Sequence, residues 1–113
     1  MASFERHTAK EITNVPVTVH ASNASGGSVA DIVIGLVIAN SGSTNATASA
    51  YVKKGTADTA DKVYLAKGFA LPIGGSVEVI QGKVVLNNED ELTVIAETGQ
   101  VDAWLSMLDN ASA

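Results

Sequence analysis

From Ile32 to Ala39, inside the stretch DIVIGLVIAN, the chain carries no polar side chain and most of the residues are β-branched. A run of that length and type predicts a central strand buried on both faces rather than a helix. Gly35 in its middle predicts a bulge or a close backbone approach. Around this run, shorter segments alternate apolar and polar residues at period two, separated by Gly, Asn, Ser and Asp clusters. That alternation is what a small all-β sandwich or barrel requires.

Before the central run, Val15, Val17 and Val19 share one face of ITNVPVTVH, and Pro16 confines that strand to a sheet edge. After it, a polar stretch gives way to Ala46, Ala48, Ala50 and Val52 at period two, and TADTAD at 56–61 forms an exposed turn. A strand over 62–67 with Val63 and Leu65 inward follows, then the connection ALPIGG at 70–75 and two short strands at 76–80 and 83–86. Residues 92–97 and 101–108 read as a hairpin about Thr98-Gly99-Gln100. The expected core holds Ile32, Ile34, Leu36, Ile38, Val94 and Leu105. In the last strand Val101, Ala103, Leu105 and Met107 share one face and Asp102, Trp104, Ser106 and Leu108 the other. Trp104 pointing outward beside Leu108 would form a contact patch; with both faces covered it would be the largest core residue. The fold class is therefore all-β: a single-domain antiparallel β-sandwich, jelly-roll or Ig-like, of about seven or eight strands. The sandwich is expected over residues 12–109, with an extended N-terminal arm at 1–11 and a C-terminal tail at 110–113.

Composition narrows the picture. A chain of 113 residues makes one domain able to fold without metal or crosslink. With 46% apolar but only 4% aromatic residues, its core must be built from Val, Ile, Leu and Ala. The absence of Cys removes disulfides, zinc-thiolate sites and thiol catalysis. MASFERHTAKE has no apolar signal core and the central run is too short to span a bilayer, so a cytoplasmically made protein without membrane contact is expected. The net charge is -5, and after Lys83 the only charged residues are acidic. That distribution argues against a nucleic-acid partner, which would need clustered Lys and Arg.

A search for chemistry gives no catalytic, cofactor-binding or metal-binding residue. The only histidines, His7 and His20, have no carboxylate or Cys at ligand spacing, so no zinc site is expected. No G-x-S-x-G elbow is present, and the Gly26-Gly27 and Gly74-Gly75 pairs lack the Lys-Ser/Thr of a phosphate loop. Asp58 with Asp61, and Glu89-Asp90-Glu91, read as solvated turns rather than calcium loops. A non-enzyme is expected.

The PVTV strand after a charged start, IVIGLVIAN ending in Ala39-Asn40, the Pro72 to Ser76 turn of ALPIGGSVEVI, and Leu86 to Asp90 in VVLNNEDELTVIAE together resemble small virion structural proteins of tailed bacteriophages. The likeness runs from about Ser3 to Asp109, and the length of the polar stretch from Ser41 to Ser49 departs from that group. It implies a β-sandwich that assembles in multiple copies on a virion, as a capsid decoration or head-to-tail neck (collar) component. The implied partners are major capsid, portal, neck or tail proteins and further copies of itself. A tail or fibre attachment module, or a carbohydrate or cell-surface binding sandwich, is the alternative. The interface candidates are Phe4, Arg6 and His7 of the arm, with Phe4 as apolar anchor and the charges setting register, together with Trp104 and Leu108.

Overall fold

A computed structural model of the chain describes residues 3–22, 29–54, 62–80, 82–87 and 90–112. Among them nine strands form, β1 (Ser3–Ile12), β2 (Val17–Ala21), β3 (Val29–Asn40), β4 (Ala46–Lys54), β5 (Val63–Leu71), β6 (Ser76–Glu78), β7 (Val84–Leu86), β8 (Asp90–Thr98) and β9 (Val101–Ser112). They build two antiparallel sheets, one ordered β1-β9-β3-β6 with β7 also beside β3, the other β2-β8-β4-β5. β6 pairs with Val37–Ala39 and β7 with Asp31–Val33, so the two short strands share one edge. Counted as one position, they complete the strand order of a jelly roll, in which the chain passes repeatedly from one sheet to the other. The fold is a β-sandwich of that topology.

The core lies between the sheets. Val33, Leu36, Ile38, Leu86, Leu105 and Met107 from the first sheet meet Ala48, Ala50, Leu92, Val94 and Ala96 from the second, and all are fully buried. Alanines at 46, 48 and 50 keep the β4 surface low, which lets the aliphatic side chains opposite fill the layer without large rings.

The central position of β3 agrees with the sequence, but burial on both faces does not. Val33 is buried, Ile34 is 43% exposed and Leu36 is buried again. The β3–β9 register slips between Val33 and Gly35, so odd-numbered residues face inward before the bulge and even-numbered ones after it. Ile34 and half-buried Ile32 therefore leave the expected core, while Leu36, Ile38, Val94 and Leu105 remain in it. The bulge at Gly35 is closed by Glu78, whose Oε2 accepts from Leu36 N (2.7 Å) and Ile80 N (3.1 Å). A Cβ on Gly35 would stand 3.3 Å from the other oxygen of that carboxylate.

The expected hairpin at 98–100 joins different sheets instead. β8 pairs with β2 and β4, β9 with β1 and β3. Alternation identifies the inward face of a strand but not the sheet to which it belongs. Gly99 makes the crossing, with φ 77° and with Ala46 Cβ 2.8 Å from where its own Cβ would be. At the β3–β4 crossing, buried Asn40 donates through Nδ2 to Thr44 O (2.8 Å) and Leu71 O (3.0 Å) and accepts from Gly42 N (2.9 Å). It thereby satisfies backbone groups that leave the ladder.

The expected arm is also different. From Ser3 onward it is β1, registered along β9 from Ser3↔Asp109 to Ile12↔Val101. An edge strand needs few apolar side chains because one face and one edge meet water, and here half-buried His7 and Ala9 and fully buried Ile12 suffice. Glu11, at φ 57°, sits in the irregularity between Ala9 and Ile12 and donates its N–H to Asp102 Oδ1 at 2.8 Å. Strand β9 runs on to Ser112, so most of the expected tail is strand as well. Among the remaining expectations, β2 is an edge strand, but exposed Val15 precedes it. Val63 lies opposite inward Val52 yet is 66% exposed, and Leu65 is half-buried, because β5 is the opposite edge. The TADTAD turn, with Asp58 and Asp61, and Glu89 lie outside the described residues.

Candidate functional site

Two places combine unusual chemistry with defined geometry. The first is the outer face of the β1-β9-β3 sheet. Period-two alternation sends Leu36, Leu105 and their neighbours inward, and hence sends Trp104 and Leu108 outward. Register pairs Phe4 with Leu108, Leu108 with Ile32, and Ile32 with Val85, giving an apolar row across β1, β9, β3 and β7. Trp104 pairs with Val37 in a second row, and the bulge brings Ile34 to the surface between the two. Phe4 is 80% exposed, Val85 57% and Trp104 48%. Isolated exposed hydrophobes are ordinary, whereas a registered set on one sheet face is not.

Arg6 places its guanidinium 5.1 Å from the Trp104 ring centroid, and so supplies a cation against an otherwise apolar face. Beside them is a hollow of about 330 Å³ lined by Arg6, Thr8, Val37, Ala39, Asp102 and Trp104, among others. Its volume is at the small end of ligand sites. Four of the five interface candidates, Phe4, Arg6, Trp104 and Leu108, thus lie on one face. His7, at the opposite parity of β1, is turned toward the second sheet.

The second place is at the end of the sandwich where His7 goes. Its ring stacks on His20 of β2 with centroids 4.5 Å apart, so the chain's two histidines meet from opposite sheets. His20 Nε2 hydrogen-bonds Asp31 Oδ2 at 2.9 Å, with the Asp31 side chain fully buried. Asp109 of β9 is in side-chain hydrogen-bonding contact with Asp31. Burial, that hydrogen bond and repulsion from Asp31 and Glu5 raise the Asp109 carboxyl above its ordinary value, against a smaller lowering by His20. Glu5 Oε1 is 3.3 Å from His7 Nε2, but that nitrogen is buried and makes no hydrogen bond. Proximity without suitable alignment accounts for both observations.

The expectation that neither histidine has carboxylates at ligand spacing therefore holds only along the sequence. In space His20, Asp31 and Asp109 each offer a ligand atom within 4.8 Å of the others. Their sequence separations of 11 and 78 residues leave no local motif, and the signal that existed was a fully polar Asp31 opening an apolar strand. No family model and no curated protein matches this chain.

Proposed function

We propose that this protein is a non-enzymatic structural component of a bacteriophage virion that docks, in multiple copies, through the outer face of the β1-β9-β3 sheet. The observation that carries the reading is the registered apolar row Phe4, Leu108, Ile32 and Val85, with Trp104 and Arg6 beside it. Aromatic and Arg anchors at the centre of an apolar patch are what dominate protein interfaces. The jelly-roll topology accords with the resemblance to small phage virion proteins, since this architecture recurs in viral capsid domains, although fold analogy alone assigns no role.

Within that reading the chain acts as a capsid decoration or neck component whose partners are capsid, portal or tail proteins and its own copies. Cryo-electron microscopy of the particle, with the protein located by its nine-strand sandwich, tests it. The expected result is a repeated density whose Trp104 face contacts another virion protein. Density showing that face open to solvent, or particles lacking the protein, would reject the assignment. A chain that instead binds glycans through Trp104 and the adjoining hollow on an array would favour the cell-surface binding alternative.

A further inference from the structure

The inter-sheet polar cluster has no part in the docking surface, yet it gathers costly groups. Asp31 is fully buried, a second carboxylate is in direct contact with it, and Glu5 adds a third negative charge nearby. Two carboxylates in such contact require a proton or a cation between them. Both imidazoles of the chain lie beside them, and His7 Nε2 is buried without a hydrogen-bond partner. Imidazole with carboxylates and no thiol is a donor set for zinc and its neighbours, whereas calcium seeks six or more oxygens.

We propose that His20, Asp31 and Asp109 form a binding site for one divalent transition-metal ion of the zinc class, with solvent completing the tetrahedron. The three donors come from β2, β3 and β9, so the ion ties the two sheets together at one end of the sandwich. Metal–donor bonds of about 2.0–2.2 Å put donors roughly 3.3 Å apart in a tetrahedral site. The His20–Asp31 pair, at 2.9 Å, is nearly at that spacing. The widest separation, at most 4.8 Å, closes by up to about 1.5 Å, which rotation of the Asp109 side chain supplies. His7 stacks on His20 and holds its ring orientation, while Glu5 and Asp31 make the surroundings favourable to a dication.

The test uses untagged, chelator-stripped full-length protein titrated with zinc chloride, with magnesium and calcium chloride as comparisons. Calorimetry is expected to show one zinc per chain, a raised melting temperature and no comparable magnesium effect. Cobalt in place of zinc should give the visible absorption of a tetrahedral site. Ring-nitrogen NMR, simple with two histidines, should show the His20 signals move on zinc addition. His20→Gln and Asp109→Asn should each weaken zinc binding by about tenfold or more, whereas Glu91→Gln, in β8 where the carboxylate faces Lys53 rather than the cluster, should leave it unchanged. Absence of saturable zinc binding in the wild-type protein overturns the proposal, as does binding that leaves the His20 signals unmoved. Should the two ligand variants fail to fold, the wild-type NMR and cobalt spectra still decide. Stoichiometric binding lost in Glu91→Gln but kept in His20→Gln would place the ion elsewhere and overturn it equally.

Discussion

Single residues decide which face of β3 is the core. Leu36 is fully buried after the bulge, and Leu36→Asp should prevent folding, since an unpaired buried carboxylate costs several kcal/mol. Soluble Leu36→Asp protein with a cooperative melting transition would contradict that position. Glu78 is more subtle, because its carboxylate accepts from the backbone N–H of Leu36 at the bulge and of Ile80 beyond β6, although the residue itself is exposed. Glu78→Ala should destabilise by about 1 kcal/mol, with water recovering part of the lost bonding. The urea midpoint would read this, and an unchanged midpoint would show the bulge to be self-supporting. Gly35 announced the bulge in the sequence, and Leu36 and Ile38 were legible as core. The change of parity was not legible, because eight consecutive apolar residues look the same in either register, and only the β9 pairing puts Ile34 outside.

At the scale of elements, the sequence revealed strands better than it revealed partnerships. The edge position of β2 followed from Pro16, and the inward face of β9 from its alternation. The destination of β8 and β9 after Gly99 did not follow, since a two-residue link serves a hairpin and an inter-sheet crossing alike. β1 was hidden for a different reason: a strand that packs only His7, Ala9 and Ile12 inward lacks the apolar density by which strands are recognised. Its removal is therefore not the loss of a loose arm. Deleting residues 2–11 should strip β9 of one hydrogen-bonded neighbour, open the core beside Leu105 and Met107, and lower the melting temperature markedly or cause aggregation through the bared edge. A truncated protein melting as the full chain does would return residues 1–11 to the status of an arm. Phe4→Ala is the matched comparison, because Phe4 is 80% exposed and should be thermally silent.

On the scale of the whole molecule, the two outer faces are not equivalent. On the second sheet, Lys62 stands over Tyr51 and Lys67 over Tyr64, at 4.8 Å and 4.9 Å from the ring centroids, so its aromatic surface carries its own cations. The first sheet has Arg6 over Trp104 alone among the described rings, and its row from Phe4 to Val85 is uncovered. If that row is the contact surface on a virion, charge placed on it should abolish docking without unfolding the sandwich, because the substituted side chains already face water. Phe4→Glu combined with Val85→Glu should melt within a degree or two of the parent, since surface substitutions away from special features stay near ±0.5 kcal/mol. The same double variant should be missing from assembled particles, because two carboxylates would have to be desolvated at the centre of the contact. Val63→Glu, at a 66% exposed position on the far edge of the second sheet, is the control and should be incorporated normally. Quantitative mass spectrometry of purified particles measures all three. Normal occupancy by the double variant, or equal loss of Val63→Glu, would remove the first sheet as the docking face and move the contact to the second sheet or to the edges between the sheets.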